Sequence, residues 1–248
     1  MNNFSYENYR LIINQIQEHL AILDFGDVNE NTKQYCVVRH DVEFSIPRAM
    51  KLAEIEKSLG ICSTYCIQLR NNNYNIISEK NINLVNKIYD MGHNIALHVH
   101  LDCFLRNPHD GIKRYILNDS KILSGFLDLP INRFSIHRPQ KKLISIPLKI
   151  EGMINLNGDS FFEYSDFPKE EKLKVLYLAD SNHQWKYGNP LEIDISKYNK
   201  MQLNCHPFSW TEWGYDNTNN LLDLLIEKRK ENIISIMDEY KTFPPEIQ

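Results

Sequence analysis

The residues that could do chemistry begin with Arg39-His40-Asp41-Val42-Glu43, four ionisable side chains in five positions, closing the apolar run Tyr35-Cys36-Val37-Val38. An apolar run of that length next to a polar segment predicts a strand buried on both faces. In α/β folds, sites are built at the carboxyl ends of strands. Four more clusters of the same kind follow: His98/His100/Asp102, His137/Arg138, Asp180/His183 and His206, each just after a candidate strand. Of nine histidines, six (40, 98, 100, 137, 183 and 206) fall at such ends. Histidines scattered over a solvated surface would not sort this way. In a closed or nearly closed α/β barrel these ends meet at one mouth.

A carboxylate with two further imidazole or carboxylate ligands, leaving a position for water, makes a catalytic zinc-type site. Asp41 or Glu43 can supply the first ligand, and His98 is the best second. The third is open between His100, which at i+2 points to the same side of a strand as His98, and Asp102, which reaches the same ion if the chain turns after Val99. A lone His98 would more often be a satisfied core histidine; its company at equivalent positions reverses that weighting. His40 points away from Arg39 and Asp41 if all three are on one strand. It either braces the barrel or faces the substrate side. Trp185, Trp210 and Trp213 follow strand ends, as core residues or as a wall on which a sugar ring stacks. Cys103 has no base near it in sequence, so a thiol nucleophile is not supported.

The elements that must position these groups can be read from periodicity. Tyr9, Ile12, Ile13, Ile16 and Leu20 recur at helical spacing, which predicts a helix over 5–22, followed by a polar loop to residue 33. A helix over about 45–59 has Ser45 as its cap, Pro47 in its first turn and Gly60 at its end. Strand 62–69, helix 79–91 closed by Gly92, strand 93–99, helix 108–127 and strand 134–137 come next. Residues 146–167 fit short strands or a loop packed over a cleft. Strands over 173–179 and 201–205 and a helix over 219–240 complete the chain. Two glycine-terminated crossovers between strands predict consecutive βαβ units and a largely parallel sheet. With no linker or repeat, residues 1–248 read as one domain, with 1–33 as a helix and loop packed on it.

Composition narrows the classes. The chain has 248 residues, 42% of them hydrophobic, and a net charge of -4 with both signs interspersed. That suits one full core and argues against a nucleic-acid groove. No apolar run approaches the length that spans a bilayer, so no stable membrane insertion is expected. The first residues show no signal-peptide pattern, which predicts a cytoplasmic protein. The five cysteines are too scattered for a disulfide framework or a thiolate metal site.

Taken together, the anchors Arg39-His40-Asp41-Val42-Glu43-Phe44-Ser45, Gly92 to His98, His137-Arg138-Pro139, Asp180-Ser181 and Leu203-Asn204-Cys205-His206-Pro207 resemble the polysaccharide deacetylase, or NodB-homology, superfamily. The nearest likeness is to a deacetylase-like branch associated with bacterial surface-polysaccharide gene clusters. The resemblance runs over residues 35–210. It implies an α/β fold, a distorted (β/α)7 barrel, here with an added N-terminal helix, and a divalent metal, usually zinc, that polarises an acetamide carbonyl and a water. Carried onto this chain, Asp41 matches the general base, Glu43 the acidic ligand and His98 the first histidine ligand. His206 matches the general acid, Arg138 the arginine that orients the base, and Asp180 the carboxylate that holds the acid histidine. The metal set is then Glu43 and His98 with His100 or Asp102, and Trp185, Trp210, His137 and His40 are expected at the substrate. Glu43 stands where the family has aspartate, and Asp102 where it has a second histidine. An E/H/D set would leave a bound zinc more neutralised and its water less acidic than an E/H/H set. The implied function is removal of an N-acetyl or other N-acyl group from a sugar in surface-glycan assembly, and the lack of a signal-peptide pattern points to a nucleotide- or lipid-linked substrate. The alternative is a silent carbohydrate-binding member of the same fold. A homo-oligomer is compatible with either.

Overall fold

A computed structural model describes residues 4–100, 110–138, 148–162, 175–240, 242 and 244. Among the described residues, seven strands and five helices alternate along most of the chain: α1 (Tyr6–Gln17), β1 (Tyr35–Val42), α2 (Ile46–Ser58), β2 (Thr64–Ile67), α3 (Glu79–Asp90), β3 (Asn94–His100), α4 (Asp110–Leu127), β4 (Arg133–His137), β5 (Ile154–Asn155), β6 (Val175–Ala179), β7 (Lys200–Cys205) and α5 (Asn217–Glu239). Every strand pairing is parallel, in the order β5-β4-β3-β2-β1-β7-β6. β1 lies inside the sheet between β2 and β7 and is buried at all eight positions, as its unbroken apolar start requires. The helix ends follow local chemistry. The Ser45 hydroxyl accepts from Arg48 N at 3.2 Å to start α2, and Gly60 and Gly92 take φ of +70° and +98° just past α2 and α3. Among the described residues, no helix is long and apolar enough to cross a membrane.

The sheet curls into a distorted (β/α)7 half-barrel, and the chain after β5 fills its inside. Leu156 and Phe161 pack with Phe25, Tyr35, Val37, Cys66 and Ala96 on the inner face. Gln202 Nε2 on β7 donates to Leu156 O at 3.2 Å and Phe161 O at 2.6 Å, and the Tyr35 hydroxyl donates to Ser160 O. Residues 148–162 are therefore a short strand followed by an interior plug. The N-terminal helix ends at Gln17, earlier than its apolar spacing predicts, because Ala21 O and Leu23 N leave to pair with Cys36 across a bridge at the foot of β1.

Strand parity divides β1 into two sets of residues. Tyr35, Val37, Arg39 and Asp41 face inward. Cys36, Val38, His40 and Val42 face the helices, which corrects the expectation that His40 lies at the substrate. Its Nε2 sits 2.7 Å from Glu56 Oε1 and its ring stacks on Tyr65 at 4.4 Å. Glu56 is wholly buried and also accepts from the hydroxyls of Tyr9 (2.5 Å), Ser63 (2.5 Å) and Tyr65 (2.6 Å), tying α1, α2, β1 and β2 together. Burial alone would raise the Glu56 pKa; His40, then His93 and the Ser63 hydroxyl, hold it at about 2. Glu56→Ala is expected to cost about 3–5 kcal/mol in urea unfolding, by stranding four buried partners. Because the folded pKa is depressed, this contribution is present above the unfolded carboxylate value and is lost as pH falls through about 2.

Candidate active site

The carboxyl ends of β1, β4, β6 and β7 line one cleft of about 530 Å3, and His98 of β3 meets Glu43 beside it. Glu43, just past β1, leaves the strand at a fixed angle. The Tyr74 hydroxyl donates to Val42 O at 2.7 Å, and the side-chain amides of Asn71 and Asn73 donate to Glu43 O at 2.9 and 3.1 Å. His98 projects inward from β3, and its Nδ1 lies 2.7 Å from the Ser135 hydroxyl on β4. Its buried Nε2 makes no hydrogen bond and lies 3.5 Å from Glu43 Oε1. His137, two residues beyond Ser135 on the same face of β4, places Nε2 3.0 Å from the same oxygen.

Among the described residues, Glu43, His98 and His137 form the one group of three whose ligand atoms lie within 4.8 Å of one another. One carboxylate oxygen and two imidazole nitrogens, one of them the orphaned buried Nε2 of His98, fit a divalent cation with an open position. The Ser135–His98 contact is the outer bond that fixes a ligating imidazole. His137 thus joins the cluster from the neighbouring strand, where a substrate contact was expected. His100, the third ligand weighed from the sequence, lies further out with its ring 4.3 Å from that of His137. Asp102 lies outside the described residues.

Asp41 sits beside the cluster, 4% exposed. Its Oδ2 accepts from Arg39 Nη2 at 3.1 Å and Asn204 Nδ2 at 3.0 Å, and its Oδ1 is 3.7 Å from His98 Nδ1. Burial would raise its pKa, but the Arg39 guanidinium, with His98 and His206, holds it well below the usual carboxylate range. Glu43 is likewise held low against its burial, by the imidazoles of His137 and His98. The arginine on Asp41 comes from two residues upstream on the same inward face. Arg138, expected in that place, lines the cleft in a left-handed conformation, φ 45°.

His206 follows β7. Its Nδ1 and its backbone N lie 2.7 and 2.8 Å from Asp180 Oδ1, and Trp210 Nε1 donates to Asp180 Oδ2 at 2.7 Å. Asp180 fixes the ring so that Nε2 faces the cleft, 4.0 Å from both Asp41 Oδ2 and Glu43 Oε1. Burial lowers the His206 pKa, but Asp180, and then Glu43 and Asp41, raise it to about 9. Its imidazole is therefore protonated at neutral pH. Ionised Asp41 and protonated His206 flanking one cluster form a base and an acid with opposite environments.

The tryptophans do not line this cleft. Trp210 is fully buried, edge-on to Tyr9 at 5.0 Å and Phe4 at 5.3 Å, and serves Asp180 from beneath. Trp185 packs on Phe4 and Trp210 in the outer core. After β6 and β7 the chain folds back onto α1 and carries both rings away from the mouth. The aromatic walls are instead Phe44, Phe162, Tyr177, Tyr187 and Phe208. Tyr177 alternates inward on β6 and contacts Asn204 at 3.0 Å, a signal that strand parity alone could have given.

No protein-family model matches the sequence, and no curated protein matches it. Among solved structures, a CE4 family pseudoenzyme from Bacillus anthracis is 11% identical with a TM-score of 0.48, over 82% of this chain and 63% of that one. A family 4 carbohydrate esterase from Bacillus anthracis is 13% identical with a TM-score of 0.44, over 90% and 86%. The peptidoglycan deacetylase Bd3279 of Bdellovibrio bacteriovorus is 11% identical with a TM-score of 0.47, over 84% and 53%. The chain spans less than two thirds of the length of the first of these. These likenesses, at 11–13% identity and TM-scores of 0.44–0.48, are to a CE4 family pseudoenzyme, a family 4 carbohydrate esterase and a peptidoglycan deacetylase.

Proposed function

We propose that this chain is a metal-dependent hydrolase that removes an N-acetyl or other N-acyl group from a sugar. The observation that carries the reading is one cleft with three convergent ligand atoms, an ionised Asp41 and a protonated His206, the last two 4.0 Å apart at their nearest atoms. Glu43 Oε1, His98 Nε2 and His137 Nε2 would hold a divalent cation, zinc by its carboxylate and imidazole donors. Bound there, such a cation supplies Lewis acidity for an amide oxygen and lowers the pKa of a water.

The remaining steps belong to the protein. Asp41, pinned by Arg39 and Asn204, takes the proton of the attacking water. His206 Nε2 delivers its proton to the departing amine, and Asp180 stabilises the imidazolium until it does. Phe44, Phe162, Tyr177, Tyr187 and Phe208 offer ring faces for a sugar, with Arg138, Asn157, Ser181 and Asn182 as polar partners. The motif resemblance supports a sugar of bacterial surface-glycan assembly as substrate; a nucleotide- or lipid-linked form, met in the cytoplasm by a one-domain chain, is part of the same proposal.

The test is hydrolysis of a panel of N-acetyl amino sugars and their nucleotide conjugates by chelator-treated protein with and without added zinc, read as acetate and free amine. Zinc-dependent release supports the reading. Sugar binding without release in any metal-loaded sample would replace it with a silent carbohydrate-binding role. Within the reading, Ser135→Ala frees the His98 ring and is expected to weaken metal affinity by about 10–100-fold, measured by competition with a chelating dye. An unchanged affinity would show that Ser135 does not orient a ligand.

A further inference from the structure

The helix α5 is amphipathic in the reverse sense for a helix lying on a protein in water. Its inner stripe is polar over the turns from Asn220 to Glu231. Arg48 donates to Asn220 Oδ1, Asp223 Oδ2 and Glu227 Oε2, each at 2.8 Å, the Ser45 hydroxyl donates to Glu227 Oε1, and Lys80 Nζ donates to Glu231 Oε1 at 3.1 Å. Leu224 is its one buried apolar residue. Leu222, Leu225, Ile226, Ile233, Ile236 and Met237 fall on an arc of about 120° on the outward side, and Tyr240 continues it. Six of these seven side chains, all but Ile233, are 39–65% exposed. A surface helix with no partner normally shows the opposite pattern.

We infer that the outward face of α5 seats a second copy of this chain, two α5 helices packing about a two-fold axis. At on the order of 200 Å2 for a large side chain, six half-exposed residues leave roughly 600 Å2 per copy, at the top of what a typical monomer exposes in one patch. Two copies together bury about 1,200 Å2, the lower bound of a specific interface before any polar rim is added. The helix has 23 residues, about 35 Å, so the stripe is long enough for such a contact. A stripe that meets its own copy needs no second complementary surface. Arg229 lies on the same arc, where its stem can cover apolar surface while its head reaches the rim. A lipid surface fits less well, because the helix carries five acidic residues against three basic ones and no tryptophan. Asn217 and Leu221, in its first turns, line the cleft, so the second copy stands at the border of the site.

The test is the mass in solution of the whole chain at low micromolar concentration, by light scattering and sedimentation velocity. The expected mass is twice 29.3 kDa, and Leu225→Glu/Ile236→Glu is expected to give 29.3 kDa with an unchanged far-ultraviolet spectrum. Dissociation should be at least about 100-fold easier in that variant, since it buries unpaired charge. A second variant, Arg229→Cys, should join two copies by a disulfide under mild oxidation. A monomeric unsubstituted chain, a double variant that stays dimeric, or no cross-link at position 229 overturns the inference. So does an unsubstituted monomer that sediments with phosphatidylserine vesicles.

Discussion

Replacing His98 with alanine is expected to end metal retention and reduce zinc-dependent deacylation to background. Of the three convergent groups, His98 is the one whose donor atom is both buried and without a hydrogen bond. The removal of a ligand should exceed the 10–100-fold loss typical of an outer partner. Thermal unfolding separates the two roles. A ligand that binds only the folded state adds stability in proportion to the logarithm of its concentration over Kd. The unsubstituted protein should therefore gain several degrees in Tm with excess zinc, and His98→Ala none. In chelator the variant should melt lower, because it forfeits the Ser135 contact and the pairing with Asp41 and Glu43, but that difference should not depend on zinc. A variant that still gains stability from zinc would place the ion elsewhere.

The second large effect is at His206. His206→Ala is expected to lower kcat by about 10²–10⁴ with metal content unchanged, the range for loss of a positioned general acid. The pH profile carries the sharper signature. His206 donates a proton, so activity requires its protonated form. Against burial, Asp180 and then the other carboxylates raise its pKa to about 9, so the acid is loaded at neutral pH and activity falls as pH rises through about 9. Asp180→Asn keeps the shape but removes the main charge that raises this value. The alkaline limb should then move down toward the ordinary histidine value of 6.5. An alkaline limb that stays in place would mean that His206 is not the group titrating. A fall in metal content on His206→Ala would make it a ligand instead of an acid.

Much of this was legible before the structure. The apolar run into Asp41, the glycine-closed crossovers and the histidines at strand ends gave the parallel α/β architecture, because those signals are local. What failed depended on neighbours in space. His40 adjoins Asp41 in sequence, yet a period of two sends it to the opposite face, where Glu56, sixteen residues away, takes it up. His137 joined the ligand cluster because β4 pairs with β3 in a register that sets His98 beside Ser135 and His100 beside His137. Sequence spacing along β3 alone points to His100 or Asp102 and carries no information about that register. Arg39 displaced Arg138 at Asp41 for a simpler reason: both Arg39 and Asp41 face inward, two residues apart. Trp185 and Trp210 follow strand ends but lie where the chain has already turned back to α1, a direction that no local pattern encodes.

The central claim is that Glu43, His98 and His137 hold the ion that the base and acid serve. Crystals soaked in zinc, with diffraction recorded on both sides of the zinc edge, test it most directly. The account predicts one strong anomalous peak within about 2.0–2.2 Å of Glu43 Oε1, His98 Nε2 and His137 Nε2, with His206 Nε2 outside the coordination sphere. A peak bound by other residues, or a fully soaked crystal with no peak between these three, would contradict it.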